Sequence, residues 1–164
     1  MRHSFFLPIL FCLITGIASA QNLVLPFDTS VITNHTVSIN GQPITYFAKC
    51  GTLPVWNEGG EMIASLFYTY YERTGVKDRT NRPIIFSFNG GPGSASVWMH
   101  VAFTGPKVLN IDAEGYPVQP YGVKDNPHSI LDVADIVFID PVNTGYSRML
   151  AGKEGKMPDN KLFF

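Results

Sequence analysis

Charge is scarce in this chain. Asp, Glu, Lys and Arg make up 15% of its residues, and twelve bases nearly balance thirteen acids for a formal net charge of -1. No basic excess marks a nucleic-acid partner, and so little charge argues against a surface of solvated helices. Cysteine is equally scarce, with Cys12 and Cys50 the whole complement. Cys12 lies in a leader segment, so Cys50 has no internal disulfide partner and is expected as a buried thiol. The four histidines, His3, His35, His100 and His128, stand far apart without metal-ligand spacing. No metal and no cofactor is expected from them. Repeats, low-complexity tracts and long apolar runs are missing too. The leader's apolar core, Phe5 to Ile14, is broken at Pro8 and falls short of the ~20 residues that cross a bilayer.

The chain is instead rich in apolar and turn residues. Hydrophobic residues reach 45% and aromatics 13%, with fifteen Gly and twelve Pro among 164 residues. That composition allows one cored domain built of strands and turns. Residues 1–20 read as a signal peptide. Arg2 and His3 form the basic start, and Ala18-Ser19-Ala20 is a small-residue cleavage site. The mature chain, 21–164, is then expected as a single unit, secreted or periplasmic, with no stable membrane anchor. Asn34-His35-Thr36 is a glycosylation sequon, meaningful in a host that glycosylates exported proteins.

Along the mature chain, residues 21–33 read as an irregular lead-in. Thr36 to Ile39 and Ile44 to Ala48 flank Asn40-Gly41, the favoured two-residue hairpin turn. Gly51-Thr52-Leu53-Pro54 reads as a break, and Asn57 to Gly60 as a turn. Between Glu61 and Arg73, Met, Ala and Leu favour helix while the aromatic cluster from Phe67 to Tyr71 favours strand. The neighbouring strands tip the expectation to one long strand. An exposed turn follows over 74–82. Arg82 to Ser94 then reads as a short buried strand, Ile84 to Phe88, that stops at Asn89-Gly90-Gly91-Pro92-Gly93. Ser94 is the expected N-cap of a short helix ended by Gly105-Pro106. Residues 107–125 are turn-rich, Ser129 caps one helical turn, and Ile136 to Ile139 predicts a strand buried on both faces.

A glycine corner at the end of a strand lets the backbone bend sharply and bares its N–H groups. Such groups suit a developing negative charge, as in an oxyanion hole. The stretch resembles the serine carboxypeptidase family, whose oxyanion loop reads Asn-Gly-Gly-Pro-Gly after a strand. A second match follows in the family's order: Asn126-Pro127-His128-Ser129, the strand Ile136 to Ile139, Asp140, and a loop running from Pro141 to Gly145-Tyr146-Ser147. The resemblance covers residues 82 to 147. It implies the α/β class: the N-terminal portion of an α/β-hydrolase fold, in which an antiparallel hairpin and further strands lead into a central mixed sheet. It implies peptide hydrolysis through an acyl-enzyme on a peptide substrate. Gly91 matches the glycine whose N–H helps form the oxyanion hole. Asn89 and Gly90 match positions that bind the substrate's terminal carboxylate, although Asn89 equally suits bracing its own turn.

The triad that the resemblance implies is not in the sequence. Neither a Gly-x-Ser-x-Gly elbow nor the family's Gly-Glu-Ser-Tyr variant occurs, and Ser94, Ser96 and Ser147 lack the elbow pattern. The expectation is therefore an N-terminal section of a longer enzyme, inactive without the rest of its chain. Asp140 follows a strand as a triad acid would, but family order makes it a structural residue that orders the Pro141 to Ser147 loop. Three departures stand out: Ser87 where eukaryotic members have Trp, Ser94 where Cys is common, and Phe103 where they carry a carboxylate-binding Glu. The last motivates one alternative to a carboxypeptidase, an esterase or acyltransferase of the same fold; a separate alternative is a non-catalytic secreted strand-rich module.

Overall fold

Asn40 and Gly41 both hold positive φ, 50° and 75°, the geometry of a type I′ turn whose twist matches its flanking strands. The turn joins β1 (Ser30–Ile39) to β2 (Gln42–Trp56), paired in register from Ile39↔Gln42 to Ser30↔Gly51. The computed structural model describes residues 28–90 and 93–151. The signal peptide therefore lies outside the described residues. The irregular lead-in is corrected within them, because strand pairing already begins at Ser30.

The expected break at Gly51 to Pro54 is also corrected, since β2 runs through it. Thr52 N–H donates to Thr29 O at 3.0 Å. Pro54, two residues on, turns its nitrogen to the same side, past the Ser30↔Gly51 pair that bounds the β1–β2 register. A proline there removes no bond of that register. After the turn at Asn57, β3 (Met62–Arg73) pairs antiparallel with β2 along its length, as one long strand. The loop over 74–83 leads to β4 (Ile84–Ser87). Beyond β4 lie a six-residue π-helix, Met99–Thr104, and a ribbon of β5 (Lys107–Leu109) and β6 (Val123–Asp125). A 3₁₀ turn, Ile130–Asp132, is capped by Ser129, whose Oγ accepts from Leu131 N–H at 3.3 Å. β7 (Asp135–Ile139) and β8 (Arg148–Met149) complete the order.

The main sheet runs β1-β2-β3-β7-β4, with β8 also on β3. β7 is antiparallel to β3 and parallel to β4, so the sheet is mixed. One face carries the core, where Val37, Ile39, Ile44, Tyr46 and Ala48 pack with Leu131 and Tyr71. A second cluster joins Ala64, Val142 and Met149. Helix is sparse among the described residues.

Burial of β4 is corrected. Ile84, Ile85 and Phe86 are 51%, 38% and 62% exposed, because β4 is the last strand of the sheet. Ile84 and Phe86 line an open apolar groove with Val137 and Ile139. The expected burial of β7 on both faces is corrected too: paired on both edges, it is buried at Ile136 and Phe138 but only half-buried at Val137 and Ile139, which line that open groove. The loop before β4 is not wholly exposed either. Asp135, at the start of β7, accepts from Arg82 Nε at 2.8 Å, Arg79 Nη2 at 2.5 Å and Arg73 N–H at 3.0 Å. The Arg82 side chain is 7% exposed and also donates to Leu131 O at 2.8 Å. This buried ion cluster sets where β4 begins.

Candidate functional site at the C-terminal edge of β4 and β7

Parallel pairing brings the C-terminal ends of β4 and β7 side by side, Ser87 opposite Phe138. The chain leaves β4 through Phe88 into Asn89, and leaves β7 into Asp140. Asn89 Oδ1 accepts from Met99 N–H at 3.3 Å, and Asn89 N–H donates to Ser96 Oγ at 3.4 Å. The bracing role is thus present in the geometry, and that bond does not consume the donors of its side-chain amide. Gly90 is exposed, and among the described residues a Cβ built on it would meet no atom within 4 Å. Gly91, the expected oxyanion donor, lies outside the described residues.

Ser96 fastens the far end of this loop. It is 2% exposed. Its N–H donates to Asp140 Oδ1 at 2.9 Å, its hydroxyl donates to Ile139 O, and its carbonyl accepts from His100 N–H at 3.0 Å. The expectation that Ser94 caps the helix is corrected. Ser94 Oγ donates to Ala95 O at 3.5 Å, and the helix starts later, with no side-chain cap on the π-turn. The buried anchoring position is Ser96, two residues on. Its signal in the sequence is weak, because a loop serine gives no hint of what lies beneath it.

Asp140 acts as the structural residue described for it. Oδ1 takes Ser96 N–H, while Oδ2 takes Tyr146 N–H at 3.1 Å. One carboxylate therefore holds both loops at this edge. Gly145 has φ 48°, and a Cβ there would overlap the Asp140 carboxylate, so the close approach requires glycine. Ser147, fully buried, donates to Asp140 O at 2.6 Å and accepts from Phe67 N–H at 2.7 Å. Among the described residues neither Ser96 nor Ser147 has an imidazole partner, and both hydroxyls donate to backbone carbonyls.

His100 packs beneath the same edge. Its ring stacks on Phe138 with centroids 4.6 Å apart and meets the Tyr71 hydroxyl through Nε2 at 2.5 Å. Burial holds the imidazole below its usual pKa, with the Asp140 carboxylate opposing. Burial likewise pushes the Tyr71 phenol up. His35 contacts Thr33 on β1, and His128 is exposed. Among the described residues no group of three or more His, Cys, Asp or Glu is placed to hold a metal. Cys50 is free and half-buried, 3.6 Å from Thr69 Oγ1.

The second sequence match has a mechanical role that sequence reasoning did not supply. Asn126 Nδ2 donates to Phe103 O at 2.9 Å and Gly105 O at 2.8 Å, while Ser129 Oγ donates to Thr104 O at 3.0 Å. These bonds satisfy carbonyls orphaned at the end of the π-helix. They fix Phe103 with its ring 62% exposed. The 107–125 segment, read only as turns, is a ribbon closed by Asn110 Nδ2, which donates to Val118 O and Pro120 O, both at 3.0 Å.

Comparison with known proteins points one way. The serine carboxypeptidase family model matches residues 45–162. Carboxypeptidase Y of Schizosaccharomyces pombe is 35% identical over 83 residues, covering 50% of this chain and 7% of that protein. Carboxypeptidase Y of Candida albicans is 38% identical over 82 residues, covering 49% and 13%. The chain therefore spans only a small part of these relatives. Among solved structures, Kex1(Δ)p, a prohormone-processing carboxypeptidase from Saccharomyces cerevisiae, matches with a TM-score of 0.50 and 27% identity, over 72% of this chain and 23% of that one. Because the family match runs over well more than half of the sequence, through both the Asn89 turn and the Asp140 loop, this chain belongs to the serine carboxypeptidase family.

Proposed function

We propose that the chain is the N-terminal part of an exported α/β-hydrolase that cleaves peptides as a serine-type carboxypeptidase. The family match across the Asn89 turn carries this reading. Residues 1–20 direct export, and 21–164 supply the first strands of the catalytic domain. The exposed flank of β4 is where later strands of a complete domain add. The nucleophile and its partners lie outside these 164 residues, in keeping with the missing elbow pattern and the small share of each relative matched.

In this reading Gly91 N–H donates to the carbonyl oxygen of the scissile bond as it becomes an oxyanion. One such donor is worth roughly 3 kcal/mol of barrier, a few hundredfold in rate. Gly90 N–H and the amide of Asn89 bind the substrate's terminal carboxylate. The exposure of Gly90, whose Cβ position meets no described atom within 4 Å, supports this. Ser96 braces Asn89 at the start of the loop and is itself held by Asp140.

One observation favours a second reading. Phe103 presents a phenyl ring where carboxylate-reading relatives carry an acid, which suits an esterase or acyltransferase of the same fold. Blocked dipeptides with free and with amidated C-termini, offered to the full-length protein, separate the two. Cleavage of the free acid at least ~10-fold faster, lost on labelling by a serine-directed phosphonate, is the expected outcome. Equal rates on both would overturn the carboxypeptidase reading.

A further inference from the structure

His100 is the one titratable side chain of the π-helix Met99–Thr104, and it takes no part in the chemistry proposed above. We propose that His100 is a positioning residue for Asn89: bonded to the Tyr71 hydroxyl beneath the sheet edge, its neutral ring holds the Asn89 turn ready for a terminal carboxylate, and its protonation releases that turn. The inference rests on the carboxypeptidase reading and adds a residue to it.

Three observations carry it. The first is connectivity. Met99 N–H donates to Asn89 Oδ1 at 3.3 Å, and His100 N–H donates to Ser96 O at 3.0 Å. Ser96 Oγ in turn accepts Asn89 N–H at 3.4 Å. A shift of the main chain at His100 therefore disturbs both braces of Asn89. On the far side Gly105 N–H donates to His100 O at 3.1 Å, and a Cβ on Gly105 would overlap that oxygen, so the turn has no slack there. The second is the seat of the ring. It stacks on Phe138 of β7 with an interplanar angle of 17°, and its Nε2 lies 2.5 Å from the Tyr71 hydroxyl of β3. Tyr71 meets Phe138 and Tyr46 edge-on, at 6.1 and 5.6 Å between centroids. The imidazole thus pins the π-helix to the sheet.

The third is that this seat suits a neutral ring. Neutral Nε2 can accept the Tyr71 O–H; a protonated Nε2 donates instead, and the phenol must turn its own hydrogen toward apolar rings. Burial holds the imidazole below its usual pKa, against the Asp140 carboxylate beyond β7. The other titratable groups on this side are the phenols of Tyr71 and Tyr46, both held neutral by burial, and Cys50 of β2, which acts on Tyr71. Stacking on Phe138 offsets part of the cost of a cation. A released turn returns the ring to water, so acid favours release.

The test uses the full-length protein and blocked dipeptides with a free or an amidated C-terminus. The readout is the kcat/KM ratio of acid over amide, in which the active fraction and titrations common to both substrates cancel. The peptide carboxylate, with a pKa of about 3.3–3.7, stays ionised throughout. From pH about 7.5 to about 5, the wild-type ratio should fall at least about threefold further than that of His100→Gln, which keeps a hydrogen-bonding group but takes no proton. Groups elsewhere titrate alike in both proteins, so the difference belongs to His100. At pH about 7.5, His100→Gln should hold the ratio within about twofold, while Tyr71→Phe, which loses only the hydroxyl, should lower it about threefold. Matching pH profiles for wild type and His100→Gln, a wild-type ratio that rises on acidification relative to His100→Gln, or a ratio unmoved by Tyr71→Phe overturns the positioning role and leaves the carboxypeptidase reading intact. Equal wild-type rates on acid and amide at pH about 7.5 sink that reading, and the positioning role with it.

Discussion

Replacing Asp140 with alanine removes the one group shared by the two loops at the sheet edge. Its carboxylate accepts Ser96 N–H at 2.9 Å and Tyr146 N–H at 3.1 Å. Hydrogen bonds to a charged group contribute about 1.5–3 kcal/mol each. Ser96 is 2% exposed, so its orphaned N–H gains little from water. The bonds share one side chain and do not simply add, so the expected destabilisation is about 3–4 kcal/mol. Asp140→Asn keeps one acceptor oxygen but turns a donor toward the other N–H, for an expected loss of about 2 kcal/mol. Urea denaturation of the full-length protein measures both values. Hydrogen exchange read by mass spectrometry locates them: segments 93–104 and 141–149 should lose protection together, by about a hundredfold for ~3 kcal/mol of local opening. A change below ~1 kcal/mol, or protection lost in only one segment, would refute the claim that this carboxylate couples the loops.

Gly145→Ala should be costly in the wild type, where φ is 48° and the new methyl overlaps Asp140. In an Asp140→Ala background only the backbone term, about 1–2 kcal/mol, should remain, and a double-mutant cycle by urea melts reads the difference. Asp135→Ala strands the buried Arg82 guanidinium, whose side chain is 7% exposed, and should cost about 3–5 kcal/mol in the same assay. Arg79→Ala, at a side chain 40% exposed, should cost less than about 1 kcal/mol. Burial lowers the His100 pKa in the folded state from 6.5, so between the two values the unfolded chain binds the extra proton. Its contribution to stability is full above 6.5 and is lost as pH falls below that value. Melts from pH about 7.5 down to about 5 should show this decline, and His100→Gln should flatten it.

Local chemistry made part of this fold readable. Asn40-Gly41 specified the hairpin because few residue pairs tolerate two positive φ angles. The aromatics from Phe67 to Tyr71 marked β3 because rings pack well on a pleated surface. Asp140 was legible as a loop organiser only through family order, since its place after a strand suits a triad acid as well. What failed depended on neighbours. Pro54 looked like a break because its spelling does not show that it lies past the described β1–β2 register. Ile84 to Phe86 looked buried because an apolar run does not disclose that its strand lies at the sheet's edge. The β5–β6 ribbon was hidden because its strands have three residues each, and bonds from Asn110 and Asp125 hold it in place. Asp125 takes Ser38 N–H at 2.8 Å and pairs with Lys107. At the candidate site, Asn89 and Gly90 were expected from the resemblance of their loop to the family's; what the geometry shows is Asn89 bracing its own turn through Met99 N–H. Ser96 and Asn126 do their work through carbonyls and amides that no motif spells.

The placement of β7 between β3 and β4 dictates an assembly sequence. β1 to β3 can zip as consecutive hairpins as soon as they leave the ribosome. β4 cannot join them then, since β7, its partner among the described residues, begins about fifty residues later, with Ile84 facing Asp135. Until β7 emerges, an apolar strand must wait unpaired, and closing so long a loop makes its docking a late and slow event. A nascent chain arrested before Asp135 is thus the form most in need of a holding chaperone, and extending it through Ile139 is the step that should release it.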